Sequence, residues 1–194
     1  MRSPKPLASL LSAALLLVSA WGIPSARAAE PTALEIDREA SRIAAHVKAT
    51  GHRFDAVVND YELNLEWNPD RETVVAARLA FDFADVGTGR SRRDREMRDW
   101  LDYDTHPEAV FVLEAIDEPD DGGPPLARGR LRLHGVEQEI AFPVSIERAG
   151  DRIRIRAETT LDHRDWDLEE IRALLFMTVD PELEIRIDVT GVLP

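Results

Sequence analysis

"ARGRLRLHGVEQEIAFPVSIERAGDRIRIRAETTL", residues 127–161, alternates apolar and charged side chains across two turn signals, and its reading decides the fold. A turn at Gly135-Val136 sets Leu131 opposite Ile140, Gly129 opposite Phe142 and Arg132 opposite Glu139. A second turn at Ala149-Gly150 sets Ile146 opposite Ile153, Val144 opposite Ile155, Phe142 opposite Ala157 and Glu147 opposite Arg152. Strand side chains alternate with period two, so both registers gather the apolar residues on one face and the charges on the other. The opposite-charge pairs each add about 0.2–1 kcal/mol on an exposed sheet face.

The same alternation recurs on both sides of this stretch. Val75, Ala77, Leu79, Phe81 and Phe83 form one stripe, Ala109, Phe111, Leu113 and Ala115 a second, and Leu183, Ile185, Ile187 and Val189 a third. Arg42 to Ala49 alternates more weakly through Ile43, Ala45 and Val47. In "HRFDAVVNDYELNLEW", residues 52–67, the apolar set is even at Phe54, Ala56 and Val58, then odd at Tyr61, Leu63, Leu65 and Trp67. That slip near Asn59-Asp60 predicts a β-bulge. The expected fold is all-β: a single antiparallel barrel of about eight strands, whose closure removes exposed edges, with a two-sheet sandwich as the alternative.

One segment breaks the pattern. "RDREMRDWLDYDTHPEAVF", residues 93–111, is charged and helix-prone; Ser91 and Asp94 resemble a capping box, Met97, Trp100 and Leu101 fall at helical spacing, and His106-Pro107 stops the run. A short helix between two strands is expected, lying across one end of the barrel as a lid or packing on the core as a crossover.

Arg2 and Lys5 precede a run without charge from Pro6 to Ala26, and Ala26-Arg27-Ala28 supplies a small-x-small cleavage pattern. This is a secretory signal layout, with Pro6, Pro24 and the serines shortening the apolar run below the ~20 residues of a membrane span. The expected organisation is a signal peptide over 1–28 and one domain over 29–194, delivered to the periplasm, with no stable membrane span after cleavage. "DEPDDGGPP", residues 117–125, reads as a solvated loop. The chain has no cysteine, which excludes disulfides, thiolate metal sites and a cysteine nucleophile. Removal of Arg2, Lys5 and Arg27 with the leader takes the formal net charge from −13 to −16. Such acidity argues against nucleic acid as a partner.

The signal layout, "VGTG" at 86–89 followed by the 93–111 segment, "GRLRLHGVEQEIAFPV" at 129–144, and "LDHRDWDL" at 161–168 together resemble, in this order, the YceI-like family of bacterial periplasmic proteins. The resemblance implies a lipocalin-like antiparallel β-barrel around a long apolar tunnel, an apolar lipid such as a polyisoprenoid or isoprenoid quinone as partner, and neither catalytic residues, metal nor cofactor. Here Glu96-Met97 stands where the family has His-Leu, His106 where it has Tyr before Pro107, and Asp167 where it has Gly; Ala56 and Leu63 occupy positions where Gly is frequent.

The candidate tunnel lining is Phe81, Phe83, Phe111, Leu131, Ile140, Phe142, Val144 and Ile155, with Met97, Trp100 and Leu101 on the mouth helix. The pattern equally describes side chains that meet and fill a solid core, in which case the protein acts through its surface as a stress-related interaction module. Arg92, Arg93, Arg95 and Arg98 cluster around this helix, and Arg93, Arg95 and Arg98 are candidate headgroup contacts, or else the four pair within the helix with Asp94, Glu96, Asp99 and Asp102. The histidines, His46, His52, His106, His134 and His163, lack metal-ligand spacing and read as turn or surface residues. "DHRDWD", residues 162–167, groups carboxylates near a histidine without a visible nucleophile, so a hydrolase is the weakest reading. A homodimer is a candidate assembly.

Overall fold

The structure, a computed structural model, describes residues 29–119, 122–170, 172–173 and 177–194. The expected signal peptide lies outside the described residues. Along the chain run β1 (Thr32–Ala33), β2 (Glu35–Ile36), β3 (Arg42–Ala49), β4 (His52–Val58), β5 (Glu62–Asn68) and β6 (Thr73–Asp82). A 3-10 turn at Phe83–Asp85 leads to β7 (Val86–Gly87), the helix α1 (Ser91–Trp100), β8 (Glu108–Asp117), β9 (Leu126–Leu133), β10 (Val136–Ala149) and β11 (Arg152–Asp162). After a second 3-10 turn at His163–Trp166 come the paired two-residue strands β12 (Arg172–Ala173) and β13 (Met177–Thr178), and then β14 (Glu182–Val192).

All pairings are antiparallel, in the order β1-β5-β6-β8-β9-β10-β11-β14-β3-β4-β7. Nine strands have seven or more residues, one more than the alternation suggests, because β4 and β5 are separate strands. Asn59-Asp60 is therefore a connection rather than a bulge, and its two flanking strands sit at opposite edges of the sheet. The sheet curls so far that one five-residue segment bridges β5, beside one edge, and the interior strand β14: Thr32 and Ala33 pair with β5, Leu34 N–H donates to Leu65 O at 2.9 Å, and Glu35 and Ile36 pair with β14. This clasp fastens β5 to β14.

Both hairpins of 127–161 form, each shifted two residues from the expected pairing. His134 (φ 50°) and Gly135 (φ 75°) make the first turn, so Leu133 pairs with Val136 and Gly129 with Ile140. Two consecutive positive φ values are what a two-residue hairpin turn with matching strand twist requires. Gly150 (φ 68°) opens the second, so Ala149 pairs with Arg152 and Ile146 with Ile155. A slip of two preserves phase; every side chain keeps its face while every partner changes. Bulges instead fall where Val75 and Glu114 are left without a partner, and the second rotates Ile116 into the interior in place of Ala115.

The inner face carries one large apolar cluster around Ile43, Leu65, Trp67, Phe83, Ile153, Trp166 and Val189, and a smaller one of Ala127, Phe142, Val144 and Ala157. The outer face carries the arginines in cross-strand ion pairs, among them Arg130–Glu114 (2.7 Å), Arg132–Glu108 (2.6 Å) and Arg128–Asp117 (2.8 Å). Arg154 grips Asp188 through two bonds of 2.8 and 2.6 Å. Among the described residues no helix is long and apolar enough to cross a membrane.

Candidate functional site

All eight side chains expected to face inward do so. Phe83, Phe142 and Val144 are buried, while Phe81, Phe111, Leu131, Ile140 and Ile155 pack against the two clusters yet remain partly open. Around the larger cluster the partly buried hydrophobics outnumber the fully buried ones. These partly buried residues keep accessible apolar surface beside the clusters. Phe81 meets Phe83 edge-on at 5.5 Å, and Phe111 tilts against Phe142 at 5.7 Å. Phe111 reaches that position because Gly129 has no side chain: a Cβ there would lie 2.8 Å from the Phe111 ring and 2.3 Å from Val112 O.

The end of the barrel bearing α1 is covered. Met97, Trp100 and Tyr103 pack on the large cluster and Leu101 is 3 % exposed. Trp100 Nε1 donates to Glu169 O at 2.9 Å, and its ring meets His163 edge-on at 5.1 Å. Trp166, 1 % exposed, donates from Nε1 to Leu131 O at 3.1 Å. Asp167 closes the second 3-10 turn at φ 58°, a left-handed conformation that Asp tolerates where Gly is usual. The helix itself stops earlier than His106-Pro107. Asp102 takes φ 47°, Tyr103 N–H donates to Arg98 O and Asp102 N–H to Asp99 O, the pairing of a left-handed helix stop. The capping box does not form either: Ser91 is already helical, and Asp94 instead accepts from Thr88 N–H (2.8 Å) and Thr88 Oγ1 (2.6 Å).

The three candidate headgroup arginines do not converge. At 100° per residue Arg93 shares the inner side of α1 with Met97 and Trp100, whereas Arg95 and Arg98 point away from it. The Arg93 guanidinium stacks 3.7 Å over the Phe54 ring, with Nη1 buried and unpaired; burial lowers its basicity. Of the pairs expected within the helix, Arg92–Glu96 forms at 2.8 Å.

The 162–167 segment uses its polar groups locally. Asp162 accepts from Arg164 N–H and binds its guanidinium, which holds the carboxyl at about 2. His163 is 1 % exposed rather than a surface residue; its Nδ1 lies 3.3 Å from Leu168 O, its Nε2 has no partner, and burial lowers its pKa. His106 and His134 meet edge-on at 4.6 Å beside the first hairpin turn.

The opposite end, between the β5–β6 and β10–β11 turns, was not singled out by sequence reasoning. There an open, more polar than apolar depression of about 540 Å³ is lined by Trp67, Glu72, Ile146, Arg148 and Gly150. Trp67 is 1 % exposed and its Nε1 has no acceptor. Arg148 Nε donates to Gly150 O at 3.0 Å, and Nη1 lies 3.5 Å from Glu72 Oε1. A signal did exist: Arg148 continues the inward phase Phe142, Val144, Ile146, and a charge on that phase marks where the strand leaves the core.

With the geometry in place, the chain can be compared with known proteins. A comparison with curated proteins finds no match. Among solved structures, Burkholderia cenocepacia BcnA superposes with a TM-score of 0.70 at 19% identity, covering 80% of this chain and 99% of that one. A polyisoprenoid binding domain from Saccharophagus degradans, implicated in plant cell wall breakdown, gives 0.65 at 19% identity over 85% of this chain and 100% of its own. A Campylobacter jejuni YCEI protein gives 0.58 at 16% identity, over 71% and 83%. These likenesses establish the fold. The model of the YceI-like domain matches residues 34–191, from the clasp to the last strand, and the chain belongs to the YceI-like domain family.

Proposed function

We propose that this chain is an exported, periplasmic and non-enzymatic protein that carries or sequesters a long apolar, isoprenoid-like lipid inside its barrel. The observation that supports this reading is the apolar inner face, where Phe81, Leu131, Ile140 and Ile155 pack on the clusters yet keep accessible surface. Burial of apolar area at about 25 cal/mol per Å² is sufficient to hold such a chain, with few polar contacts needed. The signal layout of residues 1–28 supports export, and the likeness to a domain described as polyisoprenoid binding supports the ligand class. The eight inward residues are the proposed lining, and Met97, Trp100 and Leu101 the proposed seal at the helix end.

The test is solvent extraction of protein purified from its own periplasm, followed by mass spectrometry against an unrelated periplasmic protein treated identically. A stoichiometric apolar species is expected. A clean extract, repeated after incubation with membrane lipids, would favour a filled barrel acting through its surface. Replacement of Phe142 by Glu is expected to abolish uptake; uptake by the folded variant would remove the lining assignment.

A further inference from the structure

We infer that an apolar ligand enters and leaves the folded barrel sideways, through a slot between the first half of β10 and the second half of β11 that Pro143 keeps unpaired. The inference rests on the lipid-binding reading above and adds the route of exchange.

The slot follows from the pairing. β10 changes partner at its middle: Val136 to Pro143 pair with β9, and Val144 to Ala149 pair with β11. Continued in its own register, the β10–β11 ladder would next set Pro143 against Glu158, Ala141 against Thr160 and Glu139 against Asp162, but it ends at Val144 and Ala157. Val144 N–H donates to Pro125 O on the β9 side, so the odd-numbered residues of β10 turn their backbone groups towards β11. Pro143 is the next of these, and it has no N–H to give. Beyond it, β11 from Glu158 to Asp162 pairs with β14 on its other side, and among the described residues no strand pairs with the two facing edges. The far end of the slot is tied where Gln138 Nε2 donates to Asp165 O at 2.7 Å.

Burial changes at the same place. Where the ladder is intact, the facing inner side chains Val144 and Ala157 are buried. Along the slot Phe142, nearest its apex, is buried too, but Ile140, Thr159 and Leu161 on the same inner phase keep accessible surface. Thr159 also places a hydroxyl on a phase that is otherwise apolar in β11, as suits a rim that meets water. Outside the apex lies a more apolar than polar depression of about 520 Å³, against Pro124, Pro143, Ser145 and Glu158, where an apolar chain can rest before entry.

The other ways in are packed. Trp100, Leu101 and Trp166 cover the helix end, and Trp67 and Ile153 are almost wholly buried towards the opposite one. Between the strands at the two ends of the sheet, β4 and β5, stand the buried side chains of Ala56, Val58, Tyr61 and Leu65. Widening the slot breaks no ladder hydrogen bond, whereas entry elsewhere displaces buried side chains; local opening is easiest where fewest such contacts are lost.

The test follows diphenylhexatriene, an uncharged probe whose fluorescence rises out of water, by stopped flow with the full chain. The chain has no cysteine, so engineered pairs can be bridged cleanly by a short thiol-to-thiol linker. Ala141→Cys with Thr160→Cys bridges the slot. Thr88→Cys with Asp94→Cys pins α1 as the control, since these side chains already meet at 2.6 Å. The slot bridge is expected to slow uptake and release alike, by about ten-fold, with affinity unchanged, because a gate alters both rates equally. Pro143→Thr, which restores the missing donor, should slow both by a smaller factor, and the α1 bridge should slow neither. Unchanged rates in both the bridged slot and Pro143→Thr overturn the route while the lipid-binding reading stands. Slowing by the α1 bridge alone moves the route to the helix end. Faster release with unchanged uptake makes the slot a wall of the site and also overturns the route. No binding of the probe by the parent protein overturns the lipid-binding reading, and the route with it.

Discussion

Two tryptophans, each 1 % exposed, stand at opposite ends of the barrel and differ in one hydrogen bond. At the helix end Trp166 donates to Leu131 O, and Trp100, His163 and Leu101 complete a layer in which the aromatic N–H groups find backbone acceptors. At the far end the Trp67 N–H has no acceptor among the described residues, and an open depression lies beside it. Equal burial therefore conceals unequal satisfaction: the helix end is finished in its indole bonds, though His163 Nε2 and Arg93 Nη1 stay unpaired there, and the far end is not.

Trp166→Ala should have the largest effect, about 3–5 kcal/mol of destabilisation read from a denaturant midpoint, since it empties the core of the finished end. A loss under about 1 kcal/mol would mean that this end is loosely packed, and the contrast would collapse. Gly129→Ala should cost about 1–3 kcal/mol, because its Cβ meets the Phe111 ring and a carbonyl oxygen that belongs to the backbone. A neutral result would show that Phe111 moves freely within the barrel.

The paired Phe substitutions sharpen the comparison directly. Trp166→Phe strands Leu131 O and should lose about 1–3 kcal/mol beyond its change in volume, whereas Trp67→Phe removes an unpaired donor and should lose distinctly less in the ligand-free protein. Equal losses would show that the two N–H groups are equivalent.

The smallest effect is pH-dependent and belongs to the finished end. Burial holds His163 below its ordinary 6.5, so the unfolded chain takes up the proton first. Stability is then unaffected above about 6.5 and erodes as pH falls from there towards the folded value; His163→Gln should remove that slope in a thermal-melt series. Asp162 acts lower down: its folded value of about 2 against 3.8 gives a contribution present above about 3.8 and lost as pH falls towards 2.

Much of this architecture was legible because period-two alternation survives imperfect pairing. The expected turns at Gly135-Val136 and Ala149-Gly150 each missed by one position, yet Phe142, Val144 and Ile155 still faced inward, since a shift of two residues conserves phase. What decided the true register was a positive φ at His134, which favours neither residue type strongly enough to be read in advance. The α1 stripe of Met97, Trp100 and Leu101 was readable from helical spacing, but its cap was not, because Asp94 turned to a threonine outside the helix. The far depression was hidden for another reason. Its Trp67 scores as an ordinary core residue in any pattern of hydrophobicity, and only the surroundings reveal that its nitrogen is unpaired.

The clasp at Thr32–Ile36 also has a meaning in time. It joins the first described strands to Gly191 and Val192 at the far end of the chain, and β3 likewise pairs with β14, so the barrel's closing contacts are among its most distant in sequence. A chain threaded outward from its amino terminus presents the clasp first and its partner last. Until β14 arrives, β11 and β3 hold bare edges, and assembly of so non-local a topology runs on the slow, millisecond-to-second scale of β-barrels. The interval before closure is when the interior is most accessible, and on the lipid-binding reading proposed above a hydrophobic chain met then is wrapped by the fold instead of threaded into it.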